Sequence, residues 1–298
     1  MGLSEDGNLN KYTKYVNISD RYPEGEIPLI QTVGFMLNPK NAEALRYAGQ
    51  AAAFLEGKNA AAFDMQADPR HPKPDVIVTF GGDGTLLRGA RVAMQYDIPL
   101  LGINLGTVGF LTEEEPGRLE AALQAIIDGE YQTESRSLLE IRRPKTGEMF
   151  YALNDAVITR GGYARLIRVE AFVNEKEYGV FTADGIIVAT PTGSTGYSLS
   201  AGGPIVEPGM NCMIITPVCA HSMQHCPCVV SGESRIRLLL KPEREQTAEL
   251  QIDGQSRGTM EGGDEVLISG TEKRIRLIRL HPYDFFNVVR RKLIEWGS

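Results

Sequence analysis

The sequence is short of positive charge, of cysteine and of long apolar runs, and each shortage excludes a class of protein. Its 31 Lys and Arg against 38 Asp and Glu give a net charge of −7 at pH 7, so it lacks the broad basic surface of a nucleic-acid or anionic-membrane binder. Four cysteines in 298 residues are too few for a disulfide scaffold. No apolar run approaches the ~18 residues of a membrane span, and the polar N-terminus has no secretory apolar region. We expect a cytoplasmic protein with no nucleic-acid or membrane partner.

The order of predicted elements indicates two domains of different class. The hydrophobic content of 42% allows sizeable cores, and a chain of this length holds about two domains at ~150 residues each. Apolar runs without alternation, such as residues 75–80, alternate with helical stretches in residues 31–130, as in an α/β domain with a parallel sheet. Short strands separated by turns fill residues 131–280 and predict an all-β-rich second domain.

The two ends of the chain and the first helix carry further predictions. Residues 1–30 form an N-terminal arm for which we expect little order, and residues 281–298 form a C-terminal helix that returns to the first domain. Asn38 is expected to cap the first helix with Pro39 in its first turn. We attribute the alanine run at 60–62 to helix packing.

A glycine-rich segment, Gly81-Gly82-Asp83-Gly84-Thr85, follows a predicted buried strand and begins a helix. Glycines let the backbone approach a ligand, and helix N-termini bind phosphate, so Gly81, Gly82, Gly84 and Thr85 are phosphate-binding candidates. A carboxylate repels phosphate, so Asp83 needs a function such as orienting a hydroxyl nucleophile or carrying Mg²⁺; the alternative is an Asx-type turn. The spacing fits neither a P-loop nor a Rossmann fingerprint. It indicates phosphoryl transfer.

Two polar residues, Asn154 and Asp155, interrupt an apolar strand predicted over 150–159. Burying an amide and a carboxylate is costly unless they find partners. A ligand with ribose hydroxyls or an adenine edge would supply those partners. The alternative is that the two side chains hold a neighbouring loop.

A long segment at 183–206 runs from a strand into a loop rich in Gly, Ser and Thr and then into a short helix. Small residues allow close approach of the backbone, and several hydroxyls with Tyr197 can hold a polar, planar ligand. The alternative is a loop without a ligand.

These segments, with GINLGTVGFLTE at 102–113, IDGQ at 252–255 and the ending FFNVVRRKLIEWG, resemble the NAD kinases. The resemblance spans residues 31–298, and TPTGSTGYSLSAGGP is its most specific part, because GGDGT also occurs in lipid kinases and phosphofructokinases. It implies transfer of the ATP γ-phosphate to the 2′-hydroxyl of the adenosine ribose of NAD, giving NADP. It also implies Mg²⁺ that arrives with ATP, residues 131–280 as the NAD-binding domain, and a homo-oligomer, either dimer or tetramer.

The resemblance also implies roles for single residues. Asp83 would contact the 2′-hydroxyl as its base or orienter, Asn154 would hold the adenine, and Asp155 would hold the ribose hydroxyls. The other residues implied to bind NAD are Gly84, Thr85, Phe110, Asp184, Thr192, Thr195, Gly196, Tyr197, Ser200, His221 and Gln255.

Within this set, the resemblance divides the residues between the two halves of the dinucleotide. Residues 195–197 would border the adenine and its ribose, whereas Asp184, Thr192 and Ser200 would surround the nicotinamide half. His221 would lie near the pyrophosphate, and Phe110 would line the pocket.

Three other interpretations stay open at this stage. A lipid or sugar kinase with the same GGDGT loop would need an apolar acceptor pocket, and a non-catalytic nucleotide sensor would not need Asp83. Zinc could be bound by the cysteines and histidines clustered at 212–228, but the cluster has no Cys-x-x-Cys pair, which favours free thiols.

Overall fold

The computed structural model describes residues 30–67, 71–106, 109–161, 166–221, 226–242 and 246–297. The chain forms two compact units: unit 1 extends to Glu134 and resumes at Ile275, and unit 2 is Ser135–Arg274. The predicted fold class is confirmed, since unit 1 is α/β with the C-terminal helix and unit 2 is β-rich. The predicted N-terminal arm lies almost entirely outside the described residues. In the described part, no helix is long and apolar enough to cross a membrane.

Unit 1 is built on parallel strands in the order β2-β1-β3-β4. The parallel pairing continues at Leu277↔Leu100, where the end of β16 (Glu265–Arg279) joins β4. A 3-10 turn at Pro116–Arg118 precedes α3. The remaining elements are β1 (Thr32–Leu37), α1 (Ala42–Gly57), β2 (Ala61–Asp64), β3 (Val76–Phe80), α2 (Asp83–Tyr96), β4 (Leu100–Ile103), α3 (Leu119–Asp128) and α5 (Phe285–Gly297).

Every residue of β1, β3 and β4 is buried, which shows that both faces of this sheet are covered. Val76, Val78 and Phe80 of β3 belong to one core with apolar residues of α1 and α3. On the other face, a Cβ at Gly89 of α2 would lie 2.5 Å from Thr79 Cγ2. Alternate residues of β3 therefore point to opposite layers, and the chain passes from the end of β3 at Phe80 to the start of α2 at Asp83.

Two predictions in unit 1 are wrong. The first helix is capped by Asn41, not Asn38: the Asn41 side chain accepts hydrogen bonds from the backbone N–H groups of Glu43 and Ala44 at 2.9 and 3.1 Å. Asn38 and Pro39 precede this cap, and the Asn38 side chain accepts from Lys40 N at 3.1 Å. The alanine run at 60–62 does not pack as a helix, because residues 61 and 62 pair in parallel with β1 as part of β2.

Unit 2 consists mainly of antiparallel strands. One sheet has the order β12-β11-β10-β7-β14-β15, and a second antiparallel run has the order β16-β13-β8-β9. Alternate residues from both form one apolar core. The strands are β5 (Gln132–Arg143), which begins in unit 1, β6 (Glu148–Ala152), β7 (Asp155–Arg160), β8 (Ile167–Val173), β9 (Lys176–Ala183), β10 (Gly185–Ala189), β11 (Cys212–Val218), β12 (Cys228–Ser231), β13 (Arg235–Leu240), β14 (Thr247–Ile252), β15 (Gln255–Glu261) and β16.

The structure corrects the strand predicted over 150–159. This stretch is two strands, β6 and β7, that separate at Leu153 and Asn154. β6 pairs with β5, whereas β7 pairs with β10 and β14. Because the chain changes sheets here, Asn154 lies in a break, and Asp155 is the first residue of β7.

Candidate active site

The glycine-rich segment forms the turn from β3 into α2. Asp83 is the first residue of α2, and Gly82 is the N-cap residue, without a side-chain capping bond. Gly81 has φ +155°, and a Cβ there would lie 2.4 Å from Thr85 Oγ1, so the turn requires glycine at this position. Gly82 and Gly84 are exposed, and a Cβ added at either would meet no atom within 4 Å. The N-terminus of α2 is thus open to a ligand.

The Asp83 carboxylate is held by a distant segment of the same unit. Oδ2 accepts a hydrogen bond from Phe110 N at 2.9 Å, and Oδ1 accepts one from Leu111 N at 3.2 Å. A Cβ at Gly109 would lie 2.1 Å from Asp83 Oδ1, so this segment passes too close for any side chain. An Asx-type turn would bind the Asp83 side chain to the backbone two residues further along the chain. The hydrogen bonds observed go to residues 110 and 111 instead.

In unit 2, a single carboxylate organises the break between β6 and β7. Asp253 accepts hydrogen bonds from the backbone N–H groups of Leu153, Asn154 and Asp155 at 3.1, 2.7 and 3.2 Å. Its own N–H donates to Asp155 O at 3.0 Å, and its φ of +47° lies in the left-handed region. The sequence analysis did not assign Asp253 a role, although it lies in the IDGQ segment.

The two polar residues at the break differ in their surroundings. Asp155 is 5% exposed, and burial raises its pKa to about 7, with the negative charge of Asp253 adding to the shift. Asn154 Oδ1 is buried and accepts no hydrogen bond from the described residues. An unpaired buried acceptor costs about 1–3 kcal/mol, so this oxygen is poised to accept a hydrogen bond from a ligand.

The Gly/Ser/Thr-rich loop packs directly on this break. Thr190 Oγ1 donates to Leu153 O at 2.6 Å, and Thr190 N donates to Asn154 O at 2.8 Å. A Cβ at Gly193 would lie 2.1 Å from Asn154 O. A Cβ at Gly196 would lie 3.5 Å from Asn154 Nδ2 and 4.0 Å from Asp155 Oδ2. The structure therefore brings Gly196, Asn154 and Asp155 together, as one site requires.

Several hydroxyls of this loop stabilise the loop itself. Ser194 Oγ donates to Val206 O at 3.2 Å and accepts from Val206 N at 3.0 Å. Ser198 Oγ lies 2.8 Å from Thr216 Oγ1, and both are buried. The loop is a 3-10 turn at Thr192–Thr195 followed by the short helix α4 (Tyr197–Ser200). The internal bonds give it a fixed shape.

The other predicted NAD-binding residues of unit 2 lie around this loop or at strand ends. Partial burial raises the pKa of Tyr197, with smaller contributions from the charges of Cys219, Asp184 and Asp155. Asp184 forms an ion pair with Arg160 at 3.0 Å. Thr192 is buried, and the Thr195 hydroxyl donates to Thr192 O. His221 is exposed, and its backbone N–H donates to Thr182 O. The Gln255 side chain accepts a hydrogen bond from the Arg257 guanidinium.

The cysteine cluster shows free thiols. Cys212 is buried, Cys228 is intermediate, and Cys219 and Cys226 are exposed, all unpaired as disulfides. In the part of the chain that the structure describes, which excludes His225, no group of three His, Cys, Asp or Glu residues is placed to hold a metal ion.

Two family models match this chain, one over each of the two candidate sites. The family model for the ATP-NAD kinase N-terminal domain matches residues 69–131, which include the glycine-rich segment. The model for the ATP-NAD kinase C-terminal domain matches residues 153–280, which include Asn154, Asp155 and the loop above. This chain belongs to the ATP-NAD kinase family.

Individual relatives agree with this family assignment. An NAD kinase of Heliobacterium modesticaldum is 40% identical over 278 residues, which cover 88% of this chain and 98% of the relative. An NAD kinase of Syntrophotalea carbinolica is 42% identical over 227 residues, 75% of this chain and 79% of the relative. The prediction of an enzyme of the NAD kinase family, a phosphotransferase that uses ATP and NAD, is confirmed.

Solved structures of the family have the same fold. The crystal structure of yeast NADH kinase complexed with NADH matches with a TM-score of 0.80 at 25% identity, over 90% of this chain and 88% of that one. The NAD kinase from Archaeoglobus fulgidus in complex with ATP matches with a TM-score of 0.68 at 27% identity, over 87% of this chain and 98% of that one.

Proposed function

We propose that this chain transfers the γ-phosphate of ATP to the 2′-hydroxyl of the adenosine ribose of NAD, and that Asp83 orients this hydroxyl and takes its proton. The observation that carries the role of Asp83 is its carboxylate at the open N-terminus of α2, fixed by two backbone N–H groups. Each carboxylate oxygen has a further lone pair with which to accept from a ribose hydroxyl. In a loose phosphoryl-transfer transition state the proton leaves late, so orientation matters more than basicity.

The phosphates of ATP are the proposed ligands of the α2 N-terminus. Gly82 and Gly84 would contact them through backbone N–H groups and Thr85 through its hydroxyl, supported by the positive end of the helix dipole. The N–H groups of Gly81 and Thr85 donate to Ile103 O and Gly82 O at 3.0 and 2.9 Å, so Gly81 would serve by shaping the turn. Arg88 lies one turn along α2, with its guanidinium 3.3 Å from Thr85 Oγ1, and adds positive charge near this turn.

Mg²⁺ is proposed to come with ATP and to neutralise charge on its phosphates. Mg²⁺ keeps several waters and is commonly held by substrate phosphates with one or two carboxylates. We therefore assign Mg²⁺ to the ATP phosphates and to water, and no residue of this chain is proposed as its ligand.

NAD is the proposed ligand of the site in unit 2. The unpaired Asn154 Oδ1 would accept a hydrogen bond from the adenine amino group, and Asp155 would accept from ribose hydroxyls. The predicted contacts of Asp184, Thr192, Thr195, Gly196, Tyr197, Ser200, His221 and Gln255 in this unit, and of Phe110 in unit 1, are proposed as the sequence analysis describes them. A cytoplasmic location and a homo-oligomer of two or four chains are part of the same proposal.

The direct test is an assay with ATP, Mg²⁺ and NAD that measures NADP. We expect NADP to form with wild-type protein and Asp83→Asn to lose most of the turnover while the protein stays folded and binds NAD. Phosphorylation of diacylglycerol or a sugar in place of NAD would favour the lipid or sugar kinase, and tight NAD binding without turnover would favour a sensor. Near-normal turnover of Asp83→Asn would remove Asp83 from its proposed role.

A further inference from the structure

A buried ion pair in unit 1 anchors the segment that holds Asp83. Glu113 Oε2 lies 2.7 Å from Arg279 Nη1, and the two side chains are 7% and 5% exposed. Glu113 Oε1 accepts hydrogen bonds from the backbone N–H groups of Leu280 and His281 at 2.9 and 3.1 Å. Both oxygens of one carboxylate thus tie Glu113 to the last residue of β16 and to the two residues that follow it.

Further contacts fix the Arg279 side of this connection. Arg279 Nε donates to Glu134 Oε2 at 2.8 Å, and its guanidinium lies over the Tyr283 ring, 4.1 Å from the ring centre. Tyr283 in turn donates its hydroxyl hydrogen to Phe110 O at 3.4 Å. The residue that Tyr283 contacts is therefore Phe110, whose N–H binds Asp83.

We propose that Glu113 and Arg279 are positioning residues for phosphoryl transfer, which act by fixing the Phe110 and Leu111 N–H groups that orient the Asp83 carboxylate. This inference rests on the proposed function of Asp83. None of the three side chains Glu113, Arg279 and Tyr283 needs to touch a substrate in this role.

The geometry at Asp83 makes such anchoring effective. Its two oxygens accept from two successive N–H groups, one each, so the plane of the carboxylate follows any movement of residues 110 and 111. Gly109 passes so close to Oδ1 that a shift of this segment toward α2 would displace the carboxylate. A misplacement of about 1 Å at a reacting group can cost on the order of 100-fold in rate.

Net stability is a poor explanation for the buried pair. Taking a carboxylate and a guanidinium out of water roughly offsets their attraction, and apolar replacements of a buried pair are often neutral or stabilising. The Glu113–Arg279 pair instead fixes the position of Glu113, because its carboxylate binds a guanidinium and two backbone N–H groups at once.

The test is a double-mutant cycle between Glu113→Gln and Asp83→Asn, in which steady-state and single-turnover rates are measured for the wild type, the two single variants and the double variant. We expect Glu113→Gln alone to lower kcat on the order of 10- to 100-fold, with the KM for ATP changed by less than about 3-fold, since the glycine-rich turn proposed to bind ATP is untouched. The KM for NAD is not a criterion, because Phe110 is itself a proposed NAD contact. In the Asp83→Asn background, Glu113→Gln is expected to lower the residual rate by less than about 2-fold, because residues that act as a unit are not additive.

A matched control is Asp75→Asn. Asp75 lies in the same unit immediately before β3 and accepts from the backbone N–H groups of Gln31 and Thr32 at 3.0 and 2.8 Å, at the opposite end of this strand from Asp83. We expect its kcat to equal that of the wild type. Tyr283→Phe, which keeps the ring and removes the bond to Phe110 O, provides a milder variant that is expected to fold and to lower kcat with an unchanged KM for ATP.

The outcomes separate the inference from the function on which it rests. Normal kcat in both Glu113→Gln and Tyr283→Phe, or losses that multiply with that of Asp83→Asn, would overturn the positioning role while Asp83 keeps its own. A rise in KM with kcat unchanged would also overturn it. Normal turnover of Asp83→Asn alone would instead reject the proposed role of Asp83, on which the positioning role rests.

Discussion

The backbone N–H of Asp155 donates to the carboxylate of Asp253 at 3.2 Å, and Asp253 N donates back to Asp155 O at 3.0 Å. Two acidic side chains are thereby kept together in a buried turn, where each is 9% exposed or less. Asp253 uses its charge to bind three backbone N–H groups, whereas Asp155 keeps its carboxyl for other partners. Burial, with the close negative charge of Asp253 adding to it, explains the raised pKa of Asp155.

This raised pKa predicts a pH-dependent stability. The folded pKa of Asp155 is about 7, above its ordinary 3.8, so the folded state retains a proton that the unfolded state has already lost. Stability from this group is therefore full below the ordinary pKa and is lost as the pH rises to about 7. Asp155→Asn removes the titration, so we expect its melting temperature to exceed that of the wild type by more at about pH 8 than at about pH 5.

Thermal unfolding of both proteins over this pH range measures the effect. Asp128→Asn is a suitable control for the substitution itself, since this helical carboxylate is exposed and accepts from the Gln124 side chain at 2.8 Å; the difference for Asp155→Asn is compared with the difference for Asp128→Asn at each pH. An Asp155→Asn difference that is constant, or that shrinks with rising pH, would contradict the assignment.

The structural role of Asp253 predicts a large loss on its removal. Asp253→Ala leaves three backbone N–H groups at residues 153–155 without their acceptor, two of them in buried residues. At about 1–3 kcal/mol for an unsatisfied buried donor, and with partial access of water, we expect the free energy of unfolding to fall by about 2–4 kcal/mol. Urea unfolding measures this value, and a loss below about 0.5 kcal/mol, typical of exposed sites, would contradict it.

Much of the fold follows from local sequence patterns. Leu119, Leu123, Ile126 and Ile127 have the spacing of one helix face, which predicts a buried stripe, and all four are buried in α3. Apolar runs predict strands at 167–173, 185–189, 212–218 and 235–240, and β8, β10, β11 and β13 have these bounds. Strands such as β9, Lys176–Ala183, escape prediction because their charged residues face solvent and break the apolar pattern. The apolar pattern predicts β16 only at 265–268, yet the strand continues through the polar residues 271–274 to Arg279.

Some residues of the candidate site could be predicted from local sequence patterns, and others could not. Asp83, Asn154 and Asp155 could be found because a polar residue in a glycine-rich turn or an apolar strand is conspicuous. The partners that orient them could not be found, because many of these partners are backbone groups, such as those of Phe110, Leu111 and residues 153–155. Every residue carries such groups, so their roles depend on three-dimensional contacts between segments far apart in the sequence.

Two glycines of the same loop predict opposite responses to one substitution. A Cβ at Gly193 would lie 2.1 Å from the backbone oxygen of Asn154, whereas a Cβ at Gly196 would have its closest contact at 3.3 Å, with Gly193 O. Gly193→Ala must move the loop away from Asn154, so we expect NAD affinity to fall by at least about 10-fold, or about 1.4 kcal/mol. Gly196→Ala should change affinity much less. Calorimetric titration with NAD compares the two, and equal effects would contradict the geometry.

The unpaired oxygen of Asn154 predicts that stability and binding change in opposite directions. Oδ1 is buried without a hydrogen bond from the described residues, which is a cost in the free protein that a bound ligand would remove. Asn154→Leu deletes this acceptor at similar size, so we expect the free energy of unfolding without ligand to stay unchanged or rise by about 1 kcal/mol. The same variant should bind NAD at least about 10-fold more weakly, while the KM for ATP remains that of the wild type. A variant that loses stability but keeps its NAD affinity would show that Asn154 serves the fold and not the dinucleotide.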